Sequence, residues 1–120
     1  SLIDSKTHNY AYLGISAIDI NKFIRETKNL PNNIQGALII KIEKNGPAEN
    51  YGLNGDSGTY NTLNYDGDII TSIDGLKIKS MSELVRYLAL NKIPGDIITI
   101  DIFRDNKEEI IEVSLGLRPE

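Results

Sequence analysis

Apolar residues along the chain recur at two spacings, and each spacing predicts a different kind of element. Residues 37–43, Ala-Leu-Ile-Ile-Lys-Ile-Glu, are rich in β-branched and aliphatic side chains and predict a strand. So do residues 68–73, and Asp74-Gly75 then marks a tight turn into Lys77-Ile78. Strands over 97–103 and 109–115 flank Asp105-Asn106 and predict a hairpin. Helical spacing appears at Met81, Leu84, Val85 and Leu88 and runs to about Asn91, where Pro94-Gly95 ends the segment. Ser80 or Ser82 can cap that helix, with Glu83 favourably placed in its first turn. A shorter helix is expected from Asn21 to about Lys28, with Phe23 and Ile24 on its apolar face. Pro31 stops it by pushing Leu30 out of the helical region. Pro47 at a first turn and Gly52 as a stop predict one more helical turn. Tyr12 opens an apolar stretch that runs to Ile20. Two short helices and one longer one among five or six strands make an α+β domain.

Two segments lack periodicity. Residues 1–11 are polar and read as a linker or N-terminal extension, which leaves a domain over 12–117. Residues 54–67 turn to Gly, Asn, Asp, Thr and Tyr and predict a long surface loop, of the kind that is usually functional or mobile. With Ser1 at the start and Met81 as its single methionine, the chain is expected to be a piece of a longer protein.

Composition narrows the chemistry. At 120 residues, 40% hydrophobic and 25% charged, the chain supports one modest core. A net charge of −4 leaves no basic patch for nucleic acid or for an anionic membrane surface. No apolar run approaches the ~18 residues that direct membrane insertion needs. The absence of cysteine excludes disulfide scaffolds, thiolate metal sites and cysteine nucleophiles. His8, aspartates and several serines could be combined into a triad on paper, but His8 lies in the linker and no serine sits in a Gly-x-Ser-x-Gly elbow, so the histidine reads as an exposed linker residue. Glu108-Glu109 and the Asp66/Asp68 pair read as solvated charges on a hairpin edge and a loop. Oxygen donors crowd residues 54–68, but their spacing does not match an EF-hand, and Gly52, Gly55 and Gly58 lack the strand and lysine of a phosphate loop. The chain is therefore expected to be no enzyme, with no catalytic residue, metal or cofactor.

The informative feature is Tyr12-Leu13-Gly14-Ile15. A glycine between apolar residues lets successive backbone N–H groups point to one side, forming an anion-binding nest beside an apolar hollow. A peptide's terminal carboxylate can sit there while its backbone pairs with residues 15–18. The same residues also read as an ordinary strand start with Leu13 and Ile15 in the core.

That tetrapeptide occurs in order with Gly46-Pro47-Ala48, Gly52-Leu53, Gly67-Asp68-Ile69-Ile70, Ile73-Asp74-Gly75 and Ser82-Glu83-Leu84. Together with Pro94-Gly95-Asp96 and the closing Val113-Ser114-Leu115-Gly116, this pattern resembles a PDZ domain, especially those of HtrA/Deg-like trypsin-like serine proteases. The resemblance implies a partly open β-barrel of five or six strands capped by two or three helices, with the permuted strand order of bacterial members. It also implies peptide capture by addition of a strand to the sheet. The carboxylate cradle then falls on the backbone of Leu13, Gly14 and Ile15, and the pairing edge on Ile15, Ser16, Ala17 and Ile18. Leu13, Ile15, Met81, Val85 and Leu88 would form the hydrophobic pocket, with Leu84 turned to the core. Met81 stands where PDZ domains selective for Ser or Thr usually carry histidine, which implies an apolar preference in the ligand. Expected partners are peptides or unfolded proteins with apolar C-terminal residues and a protease domain of the same parent chain. The compartment implied is extracytoplasmic. A PDZ module of a site-2-type metalloprotease or C-terminal processing protease, or an assembly module binding a neighbouring subunit, are the alternative readings.

Overall fold

Short local signals set the helices of the computed structural model, which describes residues 10–59 and 61–117. His8 and all but the last two residues of the expected N-terminal extension lie outside the described residues. Helix α1 (Lys22–Thr27) starts where the Asn21 side chain accepts the Ile24 N–H at 2.8 Å. Helix α2 (Pro47–Asn50) is the single turn expected from Pro47. Helix α3 (Met81–Asn91) is capped by Ser80, whose hydroxyl accepts from the Glu83 N–H, while Glu83 reaches back to the Lys79 N–H at 2.8 Å.

The strands are β1 (Ala11–Tyr12), β2 (Ile15–Asp19), β3 (Ala37–Ile42), β4 (Ile69–Ile73), β5 (Leu76–Lys77), β6 (Ile97–Arg104), β7 (Lys107–Ser114) and β8 (Gly116–Leu117). Six of them form one antiparallel, open sheet in the order β2-β3-β4-β6-β7, with β5 paired to β4. Strands β2 and β7 are its edges. Strands β1 and β8 form a separate ribbon that brings Tyr12 beside Gly116. Ala11, placed in the extension by its polar neighbours, is thus part of the fold. The apolar stretch from Tyr12 to Ile20 is two strands rather than one, broken at Leu13-Gly14. The hairpin turn at Asp105-Asn106 has positive φ at both residues, 52° and 63°, the geometry whose twist matches flanking strands. Strand β7 accordingly begins at Lys107, two residues earlier than periodicity suggested.

Alternation along the strands divides the apolar residues between the two sheet faces. Ile39, Ile70, Ile73, Ile100, Ile102 and Val113 face α3 and pack with Leu13, Leu84 and Leu88 in the larger cluster. Leu38, Ile69 and Phe103 face the other way and are covered by Ile24 of α1 and by Ile34. Asp68 is not the solvated loop charge that its neighbours suggested. It is 1% exposed, and both its oxygens take the Arg104 guanidinium, at 2.8 and 2.6 Å. The Asn54 N–H donates to the same carboxylate at 2.8 Å, and Arg104 also donates to the Gly52 carbonyl at 2.8 Å. That knot ties the foot of the 54–67 loop to strand β6.

Candidate peptide-binding groove

The turn before β2 is held by its carbonyls. The Leu13 carbonyl accepts from the Ala48 N–H of α2 at 2.9 Å, and the Gly14 carbonyl accepts from the Glu43 N–H at 2.8 Å. With both carbonyls engaged inside the protein, the Leu13 and Gly14 N–H groups have no acceptor among the described residues. Gly14 sits at φ +82°, a conformation that strains any L side chain. An added Cβ there would meet only ordinary contacts, the nearest being Tyr12 Cε2 at 3.4 Å. Glycine is therefore required by backbone conformation, not by lack of room.

Register determines what the edge of β2 offers. Because Glu43 donates to Gly14, the Ile15–Ile42 pair is a non-hydrogen-bonded pair of the ladder. The N–H and C=O of Ile15 therefore point away from β3, toward the open edge. A bulge follows, in which Ile40 is inserted between the partners of Ser16 and Ala17. Past it, the Ile20 N–H donates to the Gly36 carbonyl at 3.2 Å, which makes Asp19–Ala37 and, two residues back, Ala17–Ile39 pairs of the same kind. The bulge thus keeps Ala17 in phase with Ile15, and both present outward backbone groups.

Helix α3 runs antiparallel to this edge, and between them lies a groove of about 760 Å³. Leu13, Gly14, Ile15, Met81, Val85 and Leu88 all line it, so the structure brings together all the residues expected in cradle and pocket. Their depths differ. Val85 is 51% exposed and forms the rim, while Leu88 and Leu84 are buried and form the floor. Leu84, expected wholly in the core, thus serves both core and groove. Of the expected pairing residues, Ser16 borders the groove, whereas the Ile18 side chain packs with the cluster on the opposite face.

Three features escaped sequence reasoning. Tyr10, Ala11 and Ala89 extend the lining near the cradle. Among the described residues, Glu43 is the single charged side chain in the groove lining, 40% exposed and 3.9 Å from Lys41. At the far end, the Asp19 carboxylate accepts the Met81 N–H at 2.8 Å and joins β2 to the start of α3. Only Glu43 carried any signal, because it closes the 37–43 segment that predicts a strand.

Other titratable groups are structural. Burial pushes the Asp74 carboxyl up, but hydrogen bonds from the Thr99 N–H, the Tyr87 hydroxyl and Lys92 outweigh it and hold Asp74 below its ordinary range. The same contacts raise Tyr87 and Lys92. Hydrogen bonds from the Ser57 hydroxyl and N–H lower Asp66. Asp56 is occupied by N–H groups of Gly58, Asn64 and Asp66, and among the described residues no three His, Asp or Glu side chains converge as metal ligands.

Comparison with known proteins agrees with this geometry. A "Probable periplasmic serine endoprotease DegP-like" of Bartonella henselae is 31% identical over 99% of the chain. The chain spans about a fifth of that relative's length, 21%. Among solved structures, the "HtrA-type protease AlgW with decapeptide" superposes with a TM-score of 0.74 at 22% identity, covering 93% of this chain and 30% of that one. The HtrA3 PDZ domain bound to a phage-derived ligand, FGRWV, gives 0.67 at 18% identity, covering 92% of this chain and 89% of the other. At these identities the superpositions establish fold alone. The sequence pattern of the PDZ domain family matches residues 11–115, from the first described strand to the end of the β-sheet core, and the chain belongs to that family.

Proposed function

We propose that this domain is a non-catalytic peptide reader that captures C-termini or extended apolar segments as an added strand on β2. The observation that carries this reading is the pair of acceptorless N–H groups at Leu13 and Gly14, placed where the open edge of β2 meets an apolar groove. The ligand's carboxylate sits on the N–H groups of Leu13, Gly14 and Ile15. Its backbone pairs with Ile15 and Ala17, and its last side chain enters between Leu13, Ile15, Val85 and Leu88. Met81 faces the side chain two residues earlier and favours an apolar one.

Magnitudes suit a reversible reader. Burying one large side chain contributes about 1.5–3 kcal/mol, and each N–H bond to a carboxylate about 1.5 kcal/mol or more. Ordering the peptide offsets much of this, leaving dissociation constants on the order of micromolar.

The domain serves an HtrA-like serine protease, delivering substrate to a separate catalytic domain or regulating it. Support comes from relatives named as serine endoproteases and from fold neighbours described with peptides bound. The relatives' names also favour an extracytoplasmic compartment. Among the described residues no helix is long and apolar enough to cross a membrane.

The test is titration of the chain with a pentapeptide ending in Val as free acid and as C-terminal amide. The acid should bind at least tenfold more tightly, since amidation removes the charge held by the cradle. Equal affinity would overturn the carboxylate assignment.

A further inference from the structure

Among the described residues, one hydrogen bond joins the two walls of the groove, from the Met81 N–H of α3 to the Asp19 carboxylate of β2 at 2.8 Å. The helix is otherwise held from behind and from its far end. Leu84 and Leu88 are its buried side chains, and Tyr87 and Lys92 reach Asp74 at 2.7 and 3.0 Å. The Met81 N–H is among the first of the helix and has no acceptor within it. Ser80 takes the Glu83 N–H, so the Met81 N–H is left to Asp19. That bond is exposed, and water would satisfy the same donor. Its contribution is therefore to position more than to stability.

Alternation aims Asp19 at the groove. Ile18 packs with the cluster on the opposite face, so Ala17 and Asp19 point to the α3 side. By standard bond lengths an aspartate oxygen lies no more than about 3.7 Å from its own Cα. The Met81 nitrogen is thus pinned within about 6.5 Å of the Asp19 Cα, little more than the ~4.8 Å between paired strands. A strand added to β2 would have the start of α3 directly against it.

The geometry points to Asp19 as a strut that fixes the width of the groove at Met81. It thereby limits the size of the side chain that a ligand can carry two residues before its end. This rests on the strand-addition reading above, in which that side chain faces Met81. The Met81 side chain itself sets no sharp limit, because a thioether bends to fit ligands of different shape. The limit comes from where its backbone is held. Asp19 touches no ligand atom in this account and is a positioning residue.

The experiment uses two free-acid pentapeptides ending in Val that differ only at the third residue from the end, Val or Trp. Each is titrated into the 120-residue chain while backbone amides are followed by NMR. In a groove free to widen, Trp would bind more tightly because it buries more apolar area. With the wall pinned, the Val peptide should bind about tenfold more tightly than the Trp peptide. Asp19→Ala should bring that ratio to one or reverse it, whereas Asp19→Asn, which keeps an acceptor oxygen, should preserve it. In the unmodified protein the Met81 amide proton should stay downfield, held by the carboxylate, when the Val peptide binds. An unmodified protein that prefers Trp, a ratio unchanged by Asp19→Ala, or a Met81 proton released by the Val peptide would each overturn the strut. If the Gly14 and Ile15 amides move in those cases, the groove stands without it. If neither peptide moves those amides, both readings fall. The preference and the Met81 proton of the unmodified protein decide the matter even if the Ala variant does not fold.

Discussion

The cradle at Leu13-Gly14 and the knot at Asp68–Arg104 follow opposite rules. In the knot, a carboxylate 1% exposed receives three donors from Arg104 and Asn54, and the guanidinium spends a further bond on Gly52. Its polar groups are matched within the chain, which suits a feature that stabilises the fold. In the cradle, the carbonyls are matched and the N–H groups are not. Backbone donors are rarely left without partners in a folded protein. An acceptorless pair beside an apolar groove is what the proposed peptide carboxylate would complete.

The comparison separates residues that control stability from residues that control binding, and substitutions should divide the same way. The largest effect is expected at the knot. Arg104→Met strands the buried Asp68 carboxylate and should lower unfolding free energy by about 3–5 kcal/mol, measured by urea denaturation. Peptide affinity of the remaining folded protein should stay within twofold; a large loss would mean that knot and groove are not separable. Replacing both Asp68 and Arg104 by apolar residues of similar volume should recover most of the lost stability.

Val85→Asp is the converse. At 51% exposure, Val85 contributes little to the core, so unfolding free energy should move by no more than about 0.5 kcal/mol. Peptide affinity should fall more than tenfold, because an uncompensated carboxylate would be buried against the ligand. A stable variant that still binds would remove Val85 from the groove wall.

A smaller effect sharpens the stability side. Asp74 titrates below its ordinary range in the folded chain, so its contribution is complete above about pH 4 and is lost as pH falls through the depressed folded value. Asp66, lowered by Ser57, adds in the same sense. Thermal melts should show stability dropping on the acid side, and Asp74→Asn should flatten part of that drop. An unchanged acid profile in the variant would place the dependence elsewhere.

The smallest effect belongs to Glu43, a like charge beside the proposed carboxylate site. Glu43→Gln should tighten binding of a free-acid peptide by a few-fold at low salt, by less than about 1 kcal/mol, and the gain should fade as salt rises. Weaker binding would mean that Glu43 holds the peptide instead of opposing it.

Much of this was legible because it is local. The Asn21 and Ser80 caps, the Asp74-Gly75 and Asp105-Asn106 turns and the helical spacing of Met81, Val85 and Leu88 each lie within a few residues of what they determine. The order of the glycine-containing motifs then pointed to the PDZ family, and through it to the candidate groove. What the sequence hid depends on residues far apart. Asp68 meets Arg104 across 36 positions, and Asp19 reaches the Met81 N–H across 62. No spacing rule anticipates either, so Asp68 looked like one loop acid among several. The bulge at Ile40, which keeps Ala17 in phase with Ile15, is likewise a property of strand pairing and leaves no mark on composition. Leu84 and Leu88 were assigned to core and groove respectively, although helix geometry lets a buried side chain floor both.

The central claim is that the Leu13 and Gly14 N–H groups receive a carboxylate. It is tested most directly by the amide proton shifts of these two residues during titration with a Val-terminated peptide, as free acid and as amide. The account predicts that the acid moves both protons strongly downfield, as charge-assisted hydrogen bonds form, and that the amide moves them far less. Equal shifts from the two peptides, or binding that leaves both protons in place, would contradict it.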